Sequence, residues 1–348
     1  MCFTCLNGKS CFSVTAVVIV VVFWGAGSAS AFNGNGFGTE ENPYVITNVY
    51  QLQEMQEELD AHYILGNDID ASGTVGWNDG AGFEPVGAQT GESAGRFTGT
   101  FDGKGYLIDG LYIKRIESNK QGLFGLLYSA TIKNVILTNV RVAGDKYNGT
   151  LAGQAAYESV ITRCVATGSL ELKPGSGNSK SGGLVGVVSS GSLIDQCAAG
   201  VDVKAGNRVQ VGGLAGYLLG RDSRPPRTEV SDSYSPVSVL SNSYSVGTVT
   251  GGGAKQGNLV GDADASRVDR CYSCGDAKAL IGFNFKNPVI TNCYWDKDEG
   301  ASSSSRGGTG KTTDQMTQHA TFVDWDFDEI WVIDEGQSYP YFKWAIRY

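Results

Sequence analysis

The sequence predicts an all-β chain wound as a solenoid of stacked coils, and three observations carry that reading. A short glycine-rich phrase recurs along the chain. A second phrase, ending in a small residue, follows almost every copy at a near-constant interval. The composition also favours strands and turns: glycine is 49 of 348 residues, roughly twice its usual ~7 % share, with valine, serine, threonine and tyrosine plentiful.

The first phrase reads GLFG from Gly122, GTLAG from Gly149, GGLVG from Gly182, GGLAG from Gly212, GNLVG from Gly257 and a degraded ALIG from Ala279. The second reads IKNV from Ile132, ITRC from Ile161, IDQC from Ile194, VDRC from Val268 and ITNC from Ile290. VSDS from Val230 takes the missing place, delayed by an insertion, with LSNS from Leu240 as a near copy. A lone coil cannot bury its apolar face, whereas a stack buries a continuous core, so such repeats predict about ten coils. Cys164, Cys197, Cys271 and Cys293 share one repeat position with Val135, Ser233 and Ser243. That position reads as an inward ladder of small side chains, its cysteines free and buried. Cys271 and Cys274 resemble half a zinc knuckle, but the chain holds only two histidines and no second pair at zinc spacing, so no metal is expected.

The ends follow in order. Residues 1–31 have the parts of a secretory signal: Lys9, an apolar run from Val14 to Trp24, and GAGSASA ending at Ala31. Cleavage after Ala31 is expected, and with it export to the cell surface or the medium without integral membrane insertion. Residues 32–96 are expected to form a strand–helix–strand cap and the first coil, with Leu52, Met55 and Leu59 on one helix face. Residues 97–299 are expected to carry the coils. Residues 300–348 read as a serine- and glycine-rich link and a closing cap. A capping box, Thr312 to Gln315, starts its helix, and its aromatic runs are expected to plug the last coil. GGTGKTT from Gly307 resembles a phosphate loop, but Ser305 stands where that motif needs glycine. It is read as part of the link, so neither nucleotide nor cofactor is expected. A formal net charge of −9 argues against nucleic acid or an anionic membrane as partner.

These residues resemble a family, the secreted bacterial β-solenoid proteins that carry the GLUG motif. The motif is the G-L-[VA]-G phrase at Gly183 to Gly186 and at Gly213 to Gly216. ENPYVIT, the stretch Phe97 to Ile113, and TGKTTDQM with its aromatic sequel are similar to the family's opening, first coil and close. The resemblance implies a right-handed parallel β-helix on adhesin-like surface or exported proteins, and on the non-catalytic parts of immunoglobulin-A-specific metallopeptidases. The peptidase chemistry needs H-E-x-x-H; His62 and His319 stand far apart, so that activity is not carried over.

Tyr234, Tyr244, Tyr272 and Tyr294 each follow a residue of the cysteine position, and Trp295 follows the last. Strand alternation turns residues beside an inward ladder outward, and stacked outward rings suit sugars. These five residues are the candidate binding strip, and a polysaccharide or extracellular protein is the expected partner. The insertion Leu218 to Glu229 brings Arg221, Arg224 and Arg227 and reads as a basic loop. The expected role is non-catalytic, adhesin-like interaction. The alternative is a polysaccharide lyase or glycoside hydrolase. Hydrolysis usually needs two carboxylates on one face, and Asp195 and Asp269 share the slot two positions before the cysteine, with Asp232 close to it.

Overall fold

The computed structural model describes residues 32–88, 95–175, 177–206, 209–220, 237–251, 255–276, 279–299 and 305–347. The chain divides into two units, Met1–Ala31 and Phe32–Tyr348; the expected signal lies outside the described residues, as do Arg221, Arg224, Arg227 and Tyr234. Among the described residues the second unit is all-β, with 43 % strand against 9 % helix. The chain visits three parallel sheets in rotation, the arrangement a parallel solenoid requires. The first sheet has nine strands, from Tyr44–Ile46 to Val289–Thr291. The second has eleven, from Ile69–Asp70 to Thr309–Lys311. The third has six, from Phe124–Tyr128 to Ile281–Phe285. A shorter three-stranded sheet, Lys180–Gly182, Gln210–Gly212 and Lys255–Gly257, leads into three of those six. Among the described residues the nine strands of the first sheet mark nine rungs, where the repeats predicted about ten.

Pairing in register explains why the sequence repeats. In the first sheet Tyr63, Phe101, Ile132, Ile161, Ile194, Leu240, Val268 and Ile290 stand one above another. Leu240, not Val230, therefore fills the interrupted place, and the near copy is the working member. The leucines of the glycine phrase, Leu123, Leu151, Leu184, Leu214, Leu259 and Leu280, are all fully buried. The cysteine position faces inward as expected: Cys164, Cys197, Cys271 and Cys293 are buried, and all are free thiols. The residue before each, Asn134, Arg163, Gln196, Asn242, Arg270 or Asn292, has a left-handed backbone with φ between 43° and 54°. That bend turns the chain from the first sheet to the second and aims the next side chain into the core.

The closing glycine of each phrase answers to close approach. A Cβ on Gly261 would stand 2.6 Å from Val211 N and Gly216 O. On Gly186 it would stand 2.6 Å from the Tyr147 carbonyl carbon. In both cases the obstacle is backbone of an earlier rung, which cannot swing away.

The ends differ from expectation in two respects. Tyr44–Ile46 and His62–Leu65 pair in parallel as the first two strands of the first sheet, so the opening segment continues the coils. The helix between them spans only Val49–Glu54, capped by Asn48 and burying Leu52, with Met55 buried just after it. At the other end the aromatic segment does not plug the last coil. Ser305 to Gly308 cross that end instead: Ser305 Oγ accepts from Ile281 N at 3.2 Å, and a Cβ on Gly308 would stand 2.6 Å from Leu280 Cδ2. Gly307 and Gly308, which carry no side chain, fit against Ile290 and Leu280 there, and a row of rings does not. Thr309–Lys311 then adds the last strand of the second sheet, and Thr312 opens the helix Thr313–Met316 through the expected capping box.

Two outcomes are expected. Gly261→Ala lowers stability in urea by about 1–3 kcal/mol, whereas Gly73→Ala, with nothing within 4 Å of the new Cβ, changes it by no more than about 0.5 kcal/mol. Burial raises the Cys197 and Cys271 thiols and pushes Cys274 up to about 12 from 9.0. The fold thus favours the neutral thiol, a contribution fully present below pH 9.0 and lost as pH rises toward about 12. Melting temperature is therefore expected to hold to pH 9 and fall above it, and a thiol reagent to label Cys164, Cys197, Cys271, Cys274 and Cys293 only after unfolding.

Candidate functional site

The second sheet's outer face carries the expected ring ladder, and the chain itself covers it. Tyr244, Tyr272 and Tyr294 are paired in register, with Tyr244 and Tyr272 stacked at 4.9 Å and 10°. Met316, Phe322, Trp325, Trp331 and Phe342 of the closing segment pack on them as a second apolar cluster. Tyr272 Oη donates to Pro340 O at 2.7 Å, and Trp325 Nε1 donates to Asn292 O at 2.9 Å. Tyr272 and Tyr294 are buried, so the strip is a docking seam for the chain's own end and offers no open ligand face. Trp295 departs further: it lies one residue out of phase, within the main core, facing Gly310 of the next strand.

The acids weighed for hydrolysis are ties between rungs. Asp195 Oδ1 accepts from Ser241 Oγ at 2.7 Å and Asn242 Nδ2 at 2.8 Å. Asp269 Oδ1 accepts from Thr291 Oγ1 at 2.6 Å, while Arg267 and Arg270 pair with its other oxygen. Asp102 repeats the pattern with Asn134 at 2.9 Å. Ser241 stands between Asp195 and Asp269 in the register, so the two aspartates are two rungs apart. Asp232 lies outside the described residues.

The open concavity is on the third sheet. The residue after each closing glycine points outward there, giving Leu126, Gln154, Val187, Tyr217, Asp262 and Phe283 in register. Gln154, Val187 and Tyr217 form the floor of a groove of about 360 Å³. One wall is Lys120, Tyr147 and Lys180, each from the approach to a successive rung. The other holds Tyr157, Ser189, Ser190 and Leu219. Tyr157 is 48 % exposed and stacks on Tyr128 at 4.2 Å. Lys180 Nζ sits 3.9 Å over the Tyr217 ring, a desolvated cation–π contact. Burial lowers the Lys120 and Lys180 ammonium groups below the ordinary lysine value. Tyr217 Oη donates to Asp264 Oδ2 at 3.0 Å, and burial followed by that carboxylate raises the phenol.

Beyond the groove's end, Asp262 and Asp264 share the outer face of one strand. Lys255 Nζ lies 2.8 Å from Asp262 Oδ2, yet each aspartate keeps a buried Oδ1 without a partner. Burial outweighs Lys255 and raises the Asp262 carboxyl. The position after the glycine was readable from the repeat; the wall residues were not, because they lie in approaches of unequal length. A larger concavity, about 510 Å³, lies beside the first helix under Tyr50 and Trp77, but it is built from a single stretch of chain end and lacks the repeated positions. Among the described residues no group of three or more His, Cys, Asp or Glu could hold a metal ion. No described helix is long and apolar enough to cross a membrane.

No family model matches the chain. Over 173 residues, 48 % of the chain, it is 36 % identical to Halomucin of Haloquadratum walsbyi, of which it spans 2 %. Over 266 residues, 76 % of the chain, it is 26 % identical to an Immunoglobulin A1 protease of Streptococcus pneumoniae, of which it spans 12 %. The chain thus spans a small part of these curated relatives. The crystal structure of a protein described as "putative immunoglobulin A1 protease" from Bacteroides ovatus matches with a TM-score of 0.62, over 90 % of this chain and 95 % of that one, at 20 % identity. At that identity the likeness is one of fold.

Proposed function

We propose that this protein is an extracellular, non-catalytic right-handed β-solenoid of the GLUG type that holds a polysaccharide along its third sheet. The observation that carries the reading is the groove: an apolar and amide floor crossed by three rungs, with tyrosines on both walls. Rungs repeat every ~4.8 Å, close to the advance of one pyranose along an extended glycan, so successive sugars meet equivalent positions. Rings that present a face and a polar edge suit the mixed surface of a sugar. The signal-like residues 1–31 support an extracellular place. So does likeness to the immunoglobulin A1 proteases. Their peptidase activity is not transferred, because neither His62 nor His319 stands in an H-E-x-x-H motif.

A hydrolytic reading draws on one specific observation, the buried pair Asp262 and Asp264. A carboxyl raised by burial is suited to donate a proton to a leaving sugar oxygen. Release of reducing ends by the wild type, abolished in Asp262→Asn, would establish it.

The binding reading is tested by retention on an immobilised polysaccharide panel. Selective retention is expected, with affinity falling about tenfold in Tyr157→Ala, a change at an exposed ring that leaves the core intact. The covered strip supplies the contrast: Tyr244→Ala is expected to lower stability by about 3–5 kcal/mol without a specific effect on binding by the folded fraction. No retention on any polysaccharide, or unchanged affinity in Tyr157→Ala, overturns the reading.

A further inference from the structure

The concavity of about 510 Å³ beside the first helix has a chemistry of its own. Two of its lining rings, Tyr50 and Trp77, stack at 5.2 Å and 28°. Phe83, fully buried, stacks on Trp77 in turn at 6.5 Å, whereas Tyr50 is 66 % exposed. An exposed ring backed by a second one offers its face to a ligand. The amides of the lining are already engaged. Gln53 Nε2 and Gln56 Nε2 donate to Glu84 O at 2.9 and 3.0 Å, and Asn78 Nδ2 donates to Gly82 O at 2.8 Å. The carboxylates are left over. Among the described residues neither Glu57 nor Glu84 uses a side-chain oxygen within the protein, and Glu54 uses one, on Asn33 N at 3.0 Å. The lining contains no lysine, arginine or histidine. Arg115, on the strand beside Phe83, donates to the Gly82 and Phe83 carbonyls instead. Three negative groups thus border an exposed ring face with no cation of the lining to neutralise them.

We infer that this concavity is a second binding site, separate from the groove, and that it takes arginine side chains of a basic peptide segment on a partner protein. A neutral sugar would leave the negative charge unanswered. A cation answers it and is attracted to the ring faces as well. Guanidinium suits the place better than ammonium. It is planar, so it lies flat on Tyr50, and it is the more weakly hydrated of the two. Its five N–H donors, fixed in a fork, meet acceptors that have no donor of their own. Tyr50 supplies the stacking face, and Glu57 and Glu84 supply the charge that selects arginine over a neutral side chain.

The test uses the full chain and three labelled, end-capped peptides that differ only at two positions spaced by glycine: arginine, lysine or citrulline. The arginine peptide is expected to bind most tightly. Citrulline, which keeps the shape and loses the charge, is expected to weaken binding about tenfold, and lysine is expected to fall between them. The arginine affinity is expected to drop as salt rises. Tyr50→Ala, a change at an exposed ring, is expected to cost about three- to fivefold in affinity at an unchanged unfolding midpoint. The double variant Glu57→Gln, Glu84→Gln is expected to remove the preference for arginine over citrulline. Equal binding of the citrulline peptide overturns the inference, and so does binding of none of the three. Equal or tighter binding of the lysine peptide overturns the assignment to guanidinium. A preference that survives in the double variant shows general attraction to an acidic chain and overturns the site. Polysaccharide retention by the same variants is expected to be unchanged, so this inference and the glycan reading of the groove fail separately.

Discussion

Parallel pairing at a fixed spacing is the constraint from which the rest of this molecule follows. Each rung must present its backbone to the rung above and below, so every corner must turn at the same place. The left-handed residues from Asn134 to Asn292 and the backbone packed against Gly186 and Gly261 are two expressions of that requirement. Neither corner leaves room for drift. A rung that turned late would place its leucine and its cysteine-slot residue outside the core, and its neighbours would lose their partners as well.

The core is therefore repetitive and the outer faces are free to diverge. The first sheet spends its outward acids on ties such as Asp195 to Asn242 and Asp102 to Asn134, which hold neighbouring rungs in register. The second sheet spends its outward rings on the closing segment. Only the third sheet keeps a ladder, Leu126 to Phe283, that changes chemistry from rung to rung. Variation on a fixed lattice of positions is how such a scaffold acquires recognition without altering its fold.

Much of this was legible in the residues. The buried leucines of the glycine phrase, the inward cysteine ladder and the capping box at Thr312 all follow from local spacing, which the chain repeats often enough to be read. The burial of Tyr272 was not legible, because the residues that cover it lie far along the chain and obey no repeat. Trp295 was misplaced for a simpler reason. It adjoins Tyr294, but strand alternation gives adjacent residues opposite faces, and the ladder fixes only one of them. The groove escaped notice because its wall is assembled from Lys120, Tyr147 and Lys180, which share a place in space and no common offset from the repeat phrases. The Ser305 to Gly308 crossing shows the same limit: its glycines read as part of a serine- and glycine-rich link, yet they serve a narrow passage over Leu280 and Ile290.

A stack whose units contact only their neighbours tends to fray from its last unit inward, each rung peeling at little cost to the rest. The closing segment changes that arithmetic here. By lying across Tyr244, Tyr272 and Tyr294, it bolts three successive rungs to one aromatic cluster, so none of the three can open alone. The C-terminal end of the stack is thereby converted from a zipper into a single cooperative block.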